Sequence, residues 1–392
     1  MVNIMSIVRT PIGKFLGSLK GMKATELGAI AVKEAMRRIS LDPELVDEVF
    51  MGNVIQAGLG QNPARQVAIA SKIAYNAGAT TVNKVCGSGM EAAIYGTRAI
   101  LAGDDHVVIA GGMENMSWAP YLLYKAREGY RLGDGKIVDA MVFDGLWDVY
   151  NDFHMGMTGE IVAERFELTR EEIDQFAYNS HLKAHRATEE GKFEKEIVPV
   201  EVKQRKGEPF VLKKDEGIRP DTTPEKLARL PPVFKKDGVV TAGNASQISD
   251  GAAAMVLMSD KMVEKLGLTP LAKIVAYHTS GMEPEHVMSA PIPTAKELFK
   301  KTGFTIDDFD LFEHNEAFAS ASVAVSKALD IPMDRLNIYG GAVALGHPIG
   351  CSGARIMATM VSALKNEKKH RGLCLICLGG GNAIGMVIEN VE

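Results

Sequence analysis

The sequence predicts an α/β protein of stacked sheets and helices, made of two matching halves with a long segment inserted in the first. Three observations predict it. Short apolar, β-branched runs alternate with helix-period stretches, the pattern of strands joined by right-handed crossovers. Residues 24–115 and 294–382 carry the same succession of elements and turns. From about 117 to 246 that succession gives way to a stretch rich in charge, proline and methionine. At 392 residues a single core is insufficient, so two or three structural units are expected.

The chain opens on MVNIMSIVRTPIGKF, which reads as a strand and a turn and lacks the features of a targeting peptide. An amphipathic helix follows at LGAIAVKEAMRRI, matched in the second half by AKELFKK. Each leads through an acidic turn to a strand ending at an asparagine: LVDEVFMGN at Asn53 and FDLFEHN at Asn315. Small-residue turns come next, Cys86-Gly87-Ser88-Gly89 and Cys351-Ser352-Gly353. Each opens a helix, with Met90, Ile94, Thr97 and Leu101 on one and Ile356, Met360 and Leu364 on the other. Glycine-closed strands follow at VVIAGG and LCLICLGGG. The second half then returns at once through GMVIENV, whereas the first returns only at GAAAMVLMS, so the insert interrupts a hairpin.

Composition excludes several classes. With 46% hydrophobic and 24% charged residues the chain is neither disordered nor fibrous, and no uncharged apolar run is long enough to span a membrane. A net charge of −5 with mixed signs argues against a nucleic-acid partner. Four cysteines, Cys86, Cys351, Cys374 and Cys377, do not make a disulfide framework and fit a reducing, cytoplasmic setting. The basic residues Lys203, Arg205, Lys206, Lys213, Lys214 and Arg219 read as a solvated face that could also receive the phosphates of a ligand.

Cys86 lies where a β-branched run meets a helix beginning by about Met90. A helix N-terminus favours a thiolate, although a buried inert thiol has the same local signature. His347 stands among five glycines in GGAVALGHPIGCSGARI, on the loop matching the Cys86 turn, and its residue type suits a base for a thiol. Cys374 and Cys377 form a C-x-x-C, but three residues apart on a strand they face opposite ways, which disfavours zinc or dithiol chemistry. Cys377 then reads as a separate thiol at a strand end. Asn315 is a turn former or a holder of water or an oxyanion, and its neighbour His314 points the other way, structural or solvent-facing. GGGNAIG is no dinucleotide loop, because a strand rather than a helix follows it.

These motifs together resemble the thiolases, and within them the short-chain, acetyl-transferring type; a degradative 3-ketoacyl-CoA thiolase is the alternative. The resemblance runs over essentially the whole chain: VRTPIGKF, GNVIQAGLGQNPARQ, NKVCGSGM, GGMENMS, DGLWDVYNDFHMG, VTAGNASQISDGAA, NEAFA, GGAVALGHPIGCSGAR and CLGGG. It implies a five-layer α/β/α/β/α sandwich of two βαβαβαββ halves, residues 1–116 with 247–268 and residues 269–392. It also implies an inserted CoA-binding loop domain at 117–246, with a tetramerisation segment at 117–142.

The implied reaction joins two acetyl-CoA into acetoacetyl-CoA and CoA, or reverses this, through an acetyl-cysteine and without a permanently bound cofactor. The implied roles are Cys86 as nucleophile, His347 as its activator, Cys377 as the base at the α-carbon and Asn315 as the holder of a water in one oxyanion hole. The Cys86 and Gly379 N–H groups make the other hole. His154, Met155, Arg219, Ser246, Met288, Ala317 and Phe318 would contact the CoA thioester, and the assembly would be a homotetramer. A β-ketoacyl synthase is disfavoured because the Cys377 and Asn315 motifs stand where a second histidine would be expected. A binding protein that merely kept the fold should have lost one of Cys86, His347 and Cys377. Cys351 departs from the alanine common at its position.

Overall fold

A computed structural model describes residues 2–204 and 207–391; Arg205 and Lys206 of the basic stretch lie outside them. In the first half, β1 (Val2–Arg9), β2 (Glu48–Gly52), β3 (Gly78–Val82) and β4 (Val107–Asn115) alternate with α1 (Ala24–Arg37), α2 (Pro63–Ala70) and α3 (Ser88–Ala102). The insert carries α4 (Gly156–Arg165) and α5 (Arg170–Glu189), after which β5 (Ser249–Met258) completes the half. The second half runs β6 (Ala272–Gly281), α6 (Pro291–Thr302), β7 (Leu311–His314), α7 (Ala319–Leu329), α8 (Ile349–Asn366), β8 (Arg371–Leu378) and β9 (Asn382–Asn390).

The strands lie in one path, β7-β8-β9-β6-β1-β5-β4-β2-β3. Read outward from the β6–β1 seam, the two halves repeat one order. The counterpart of β3 in the second half shrinks to a parallel bridge between Phe312 and Leu336. The interrupted hairpin is real: β4 and β5 pair from Asn115↔Asp250 to Val107↔Met258 across the whole insert. The seam is short: among the described residues Val2↔Ile274, Asn3↔Lys273 and Ile4↔Ala272 are in register.

Layering follows from strand alternation. Val108, Ala110, Met255 and Leu257 face a central cluster around α3 and α8, while Val107, Ile109, Ala252 and Val256 face α1 and α2. Cys374, Ile376 and Leu378 face the same central cluster, while Leu373, Leu375 and Cys377 face the outer cluster under α6 and α7. The expected opposite orientation of the two cysteines is therefore observed. The two central helices touch backbone to backbone. A Cβ on Gly89 would lie 2.9 Å from the Ala354 nitrogen, and one on Gly353 would lie 2.6 Å from the Met90 nitrogen.

The insert is tied to β1 by a buried ion cluster. Arg9 Nε donates to Glu196 at 2.5 Å, and its two terminal nitrogens donate to Asp215 at 2.7 and 2.9 Å. Among the described residues no helix is long and apolar enough to cross a membrane.

Candidate active site

Cys86 and His347 occupy the same place in the two halves, each two residues ahead of its central helix. Strand β3 stops at Val82 and α3 already begins at Ser88, so both limits of the Cys86 turn lie earlier than its β-branched sequence suggested. Within that turn Val85 adopts a φ of 48°. Gly87 keeps an ordinary φ of −88°; it is needed because a Cβ there would meet Leu378 at 2.0 Å. That space admits the facing β8 side chain and not a substrate.

One cavity of about 740 Å³ collects nearly all the residues singled out from sequence. Its walls include Cys86, His347, Cys377 and Gly379, together with His154, Met155, Arg219, Ser246, Met288, Ala317 and Phe318. Asn315 stands behind the wall, its Nδ2 3.5 Å from His347 Nε2, and its buried Oδ1 has no partner among the described residues. His314 is buried, not solvent-facing: its Nδ1 lies 2.8 Å from Ser322 Oγ, and its backbone is clasped by the Asn337 side chain.

The hydrogen bonds around His347 fix which nitrogen is basic. Ser352 Oγ donates to the Pro348 carbonyl at 2.9 Å, so it accepts from His347 Nδ1 at 2.5 Å. Nε2 is left as a bare lone pair beside Asn315. Burial, with the Arg355 guanidinium nearby, pushes the imidazole down to about 3, so it is neutral in the free enzyme.

Burial pushes the Cys86 thiol up to about 11, against the pull of two backbone N–H groups, those of Gly379 and Cys86 itself. Two N–H groups, one from each half, therefore favour the thiolate form of one sulfur. Cys377 is also pushed up, first by burial and then by Cys86, and its Sγ lies 3.7 Å from Met288 Sδ. As they stand, both thiols are protonated and the His347 ring is not.

Several wall and support residues were not singled out from the sequence, although Lys14, Phe15 and Glu114 lie within the VRTPIGKF and GGMENMS motifs. Phe234 stacks on the His154 ring at 4.8 Å and meets Phe318 edge-on at 6.3 Å, yet it is a lone aromatic in a charged stretch. Lys14 and Phe15 close the cavity from the β1 side. Glu114 accepts from Asn53 Nδ2 at 2.7 Å, Val54 N at 3.0 Å, Ile55 N at 3.2 Å and, across the halves, Gly350 N at 2.9 Å. Its signal would have been the pairing of a strand-end acid with the Asn53 loop, visible only once the strands are side by side. Among the described residues no cluster of His, Cys, Asp or Glu is arranged to hold a metal ion.

Comparison with known proteins decides the family. The thiolase N-terminal domain matches residues 2–261 and the thiolase C-terminal domain residues 268–390. The chain belongs to the thiolase family. It is 47% identical over 388 residues to an acetyl-CoA acetyltransferase of Cupriavidus necator, covering 99% of each. It is likewise 47% identical over 391 residues to a probable acetyl-CoA acyltransferase of Staphylococcus aureus, covering 100% of this chain and 99% of the relative. The crystal structure of the Bacillus anthracis acetyl-CoA acetyltransferase superposes with a TM-score of 0.97 at 42% identity, covering 100% of this chain and 98% of that one. This thiolase is thus an acyltransferase with the expected fold, its two halves meeting at the cavity just described.

Proposed function

We propose that this thiolase transfers an acetyl group between two molecules of acetyl-CoA, forming acetoacetyl-CoA and CoA, and runs the reverse thiolysis when CoA is abundant. The observation that carries the reading is the meeting, in one cavity, of two thiols and a neutral imidazole drawn from both halves. The names of the relatives support the acetyl group as the one carried.

Cys86 Sγ attacks the thioester carbonyl while its proton passes to His347 Nε2. The oxyanion is held by the Cys86 and Gly379 N–H groups, each such donor contributing about 3 kcal/mol. CoA leaves as its thiol, taking up that proton, and acetyl-Cys86 remains. Cys377 gives its proton to the freed His347 Nε2 and, as thiolate, removes an α-proton from a second acetyl-CoA. The enolate oxygen is held by His347 and by a water on Asn315, whose unpartnered Oδ1 suits that task. The new carbon–carbon bond forms at the acetyl-Cys86 carbonyl, and Cys86 departs as its thiolate, taking its proton back from His347. Met288, Ala317 and Phe318 bound the acyl end. His154, Met155, Ser246 and Arg219 follow the pantetheine towards the nucleotide, with Arg219 exposed at the outer end.

The proposed assembly is a homotetramer. In its favour, residues 117–142 expose Tyr121, Leu123, Tyr124, Tyr130, Leu132 and Ile137, more apolar surface than a free loop keeps. A cytoplasmic setting suits the reduced thiols and the CoA substrates.

Two measurements test the reading. Cys86→Ala should abolish CoA-dependent cleavage of acetoacetyl-CoA, whereas Cys377→Ala should still form acetyl-Cys86, seen by intact mass, without condensing it. Wild-type cleavage by Cys86→Ala would end the mechanism. In a chain-length series of 3-ketoacyl-CoA substrates, turnover should fall steeply beyond the C4 substrate; good turnover at C8 would replace the short-chain reading by the degradative one.

A further inference from the structure

Val85 precedes Cys86 in the left-handed region, at φ 48°. A β-branched residue there is a steric outlier, stable only if its surroundings enforce it. Both peptide groups flanking Val85 are in fact tied. Its N–H donates to Asn83 Oδ1 at 3.1 Å. Its carbonyl accepts the Ser88 hydroxyl at 2.6 Å and the Ser88 N–H at 3.1 Å. The Ser88 hydroxyl also receives the Lys84 N–H at 2.8 Å, so one buried oxygen closes the turn at both ends. Lys84 itself is anchored to α3 through Glu91 at 2.9 Å and to β6 of the other half through Thr279 at 2.8 Å. The strained turn ends on the Cys86 N–H, which together with that of Gly379 favours the Cys86 thiolate. The Val85 side chain lies against Gly379, where a Cβ would come within 3.2 Å of its Cγ1.

We propose that Ser88, assisted by Asn83, is a positioning residue that holds Val85 in its left-handed conformation and so aims the Cys86 N–H and the Gly379 N–H at a single point. Without the clamp, Val85 relaxes to negative φ, the Cys86 peptide rotates, and the two donors no longer converge. This rests on the reading of those two N–H groups as an oxyanion hole.

The test exploits glycine, which adopts positive φ without strain. In the full-length enzyme, Ser88→Ala should lower kcat about tenfold or more, as expected for a weakened oxyanion donor, with KM for the CoA thioester nearly unchanged. Adding Val85→Gly to Ser88→Ala should restore a substantial part of kcat, because the turn then needs no clamp. Asn83→Ala, at an exposed position, should show a smaller loss with the same recovery, and carries the test if Ser88→Ala does not fold. A wild-type kcat in both clamp variants, or no recovery on adding Val85→Gly, would overturn the proposal. Acetylation of Cys86 in the wild-type enzyme separates the two ideas. If it forms there and the variants match wild type, only the clamp fails; if it never forms, the mechanism itself fails.

Discussion

His347 and Cys86 are neutral partners in the free enzyme, and that sets their pH behaviour. With the thiol pushed up to about 11 and the imidazole down to about 3, no preformed thiolate–imidazolium pair is expected. The rate of Cys86 alkylation by iodoacetamide should therefore keep rising through roughly pH 6 to 9, since only the thiolate reacts. A plateau below neutrality, measured by peptide mass spectrometry, would contradict this. The buried histidines also shape stability. His314 and His347 are both held to about 3, whereas in the unfolded chain they titrate near 6.5. The unfolded state then binds protons first, so stability should fall as pH drops from about 6.5 towards 3. His314→Asn, which takes up no proton, should flatten part of that decline in urea titrations at two pH values. Much of this scale was legible: turn and strand position singled out Cys86, His347 and Cys377 as candidates, and the resemblance to the thiolases supplied their roles. The strain at Val85 was not, since nothing in NKVCGSG announces a valine at positive φ.

The pairing of α3 with α8 is what makes two half-sites into one. Gly89 and Gly353 let the helix starts touch, and Glu114 fastens the second half's helix start to the first half through Gly350. Replacing Glu114 by Gln turns one acceptor into a donor facing N–H groups. That should destabilise the protein by about 1–3 kcal/mol in chemical denaturation and lower kcat through His347, three residues before Gly350. An unchanged midpoint would show that the bridge is dispensable. The repeat of helix, strand and turn was readable because burial forces the same periodicities on both halves. The limits of β3 were not, because β-branched residues continue to Val85 after the pairing has ended.

Across the whole molecule, the insert is held to β1 by Arg9 with Glu196 and Asp215, all buried. Arg9→Ala would strand two carboxylates in the interior and should cost about 3–5 kcal/mol in a denaturant titration. If the exposed apolar residues of 117–142 form an oligomer face, Leu132→Asp should reduce the mass seen by light scattering. An unchanged mass would move the interface elsewhere. The excursion in the sequence was plain from its composition, but its tie to Arg9 joins positions far apart in the chain and leaves no local pattern. The interrupted hairpin has a consequence for synthesis. Strand β1 has its strand partners in β5 and β6, so, apart from the bridge of Arg9 to Ile197 at its end, its apolar VNIMSIVR edge leaves the ribosome without its strand partners until residue 258 has been made. At roughly 5–20 residues per second that exposure lasts about ten to fifty seconds. The newborn first strand is therefore a natural client for a chaperone, long before there is an active site to protect.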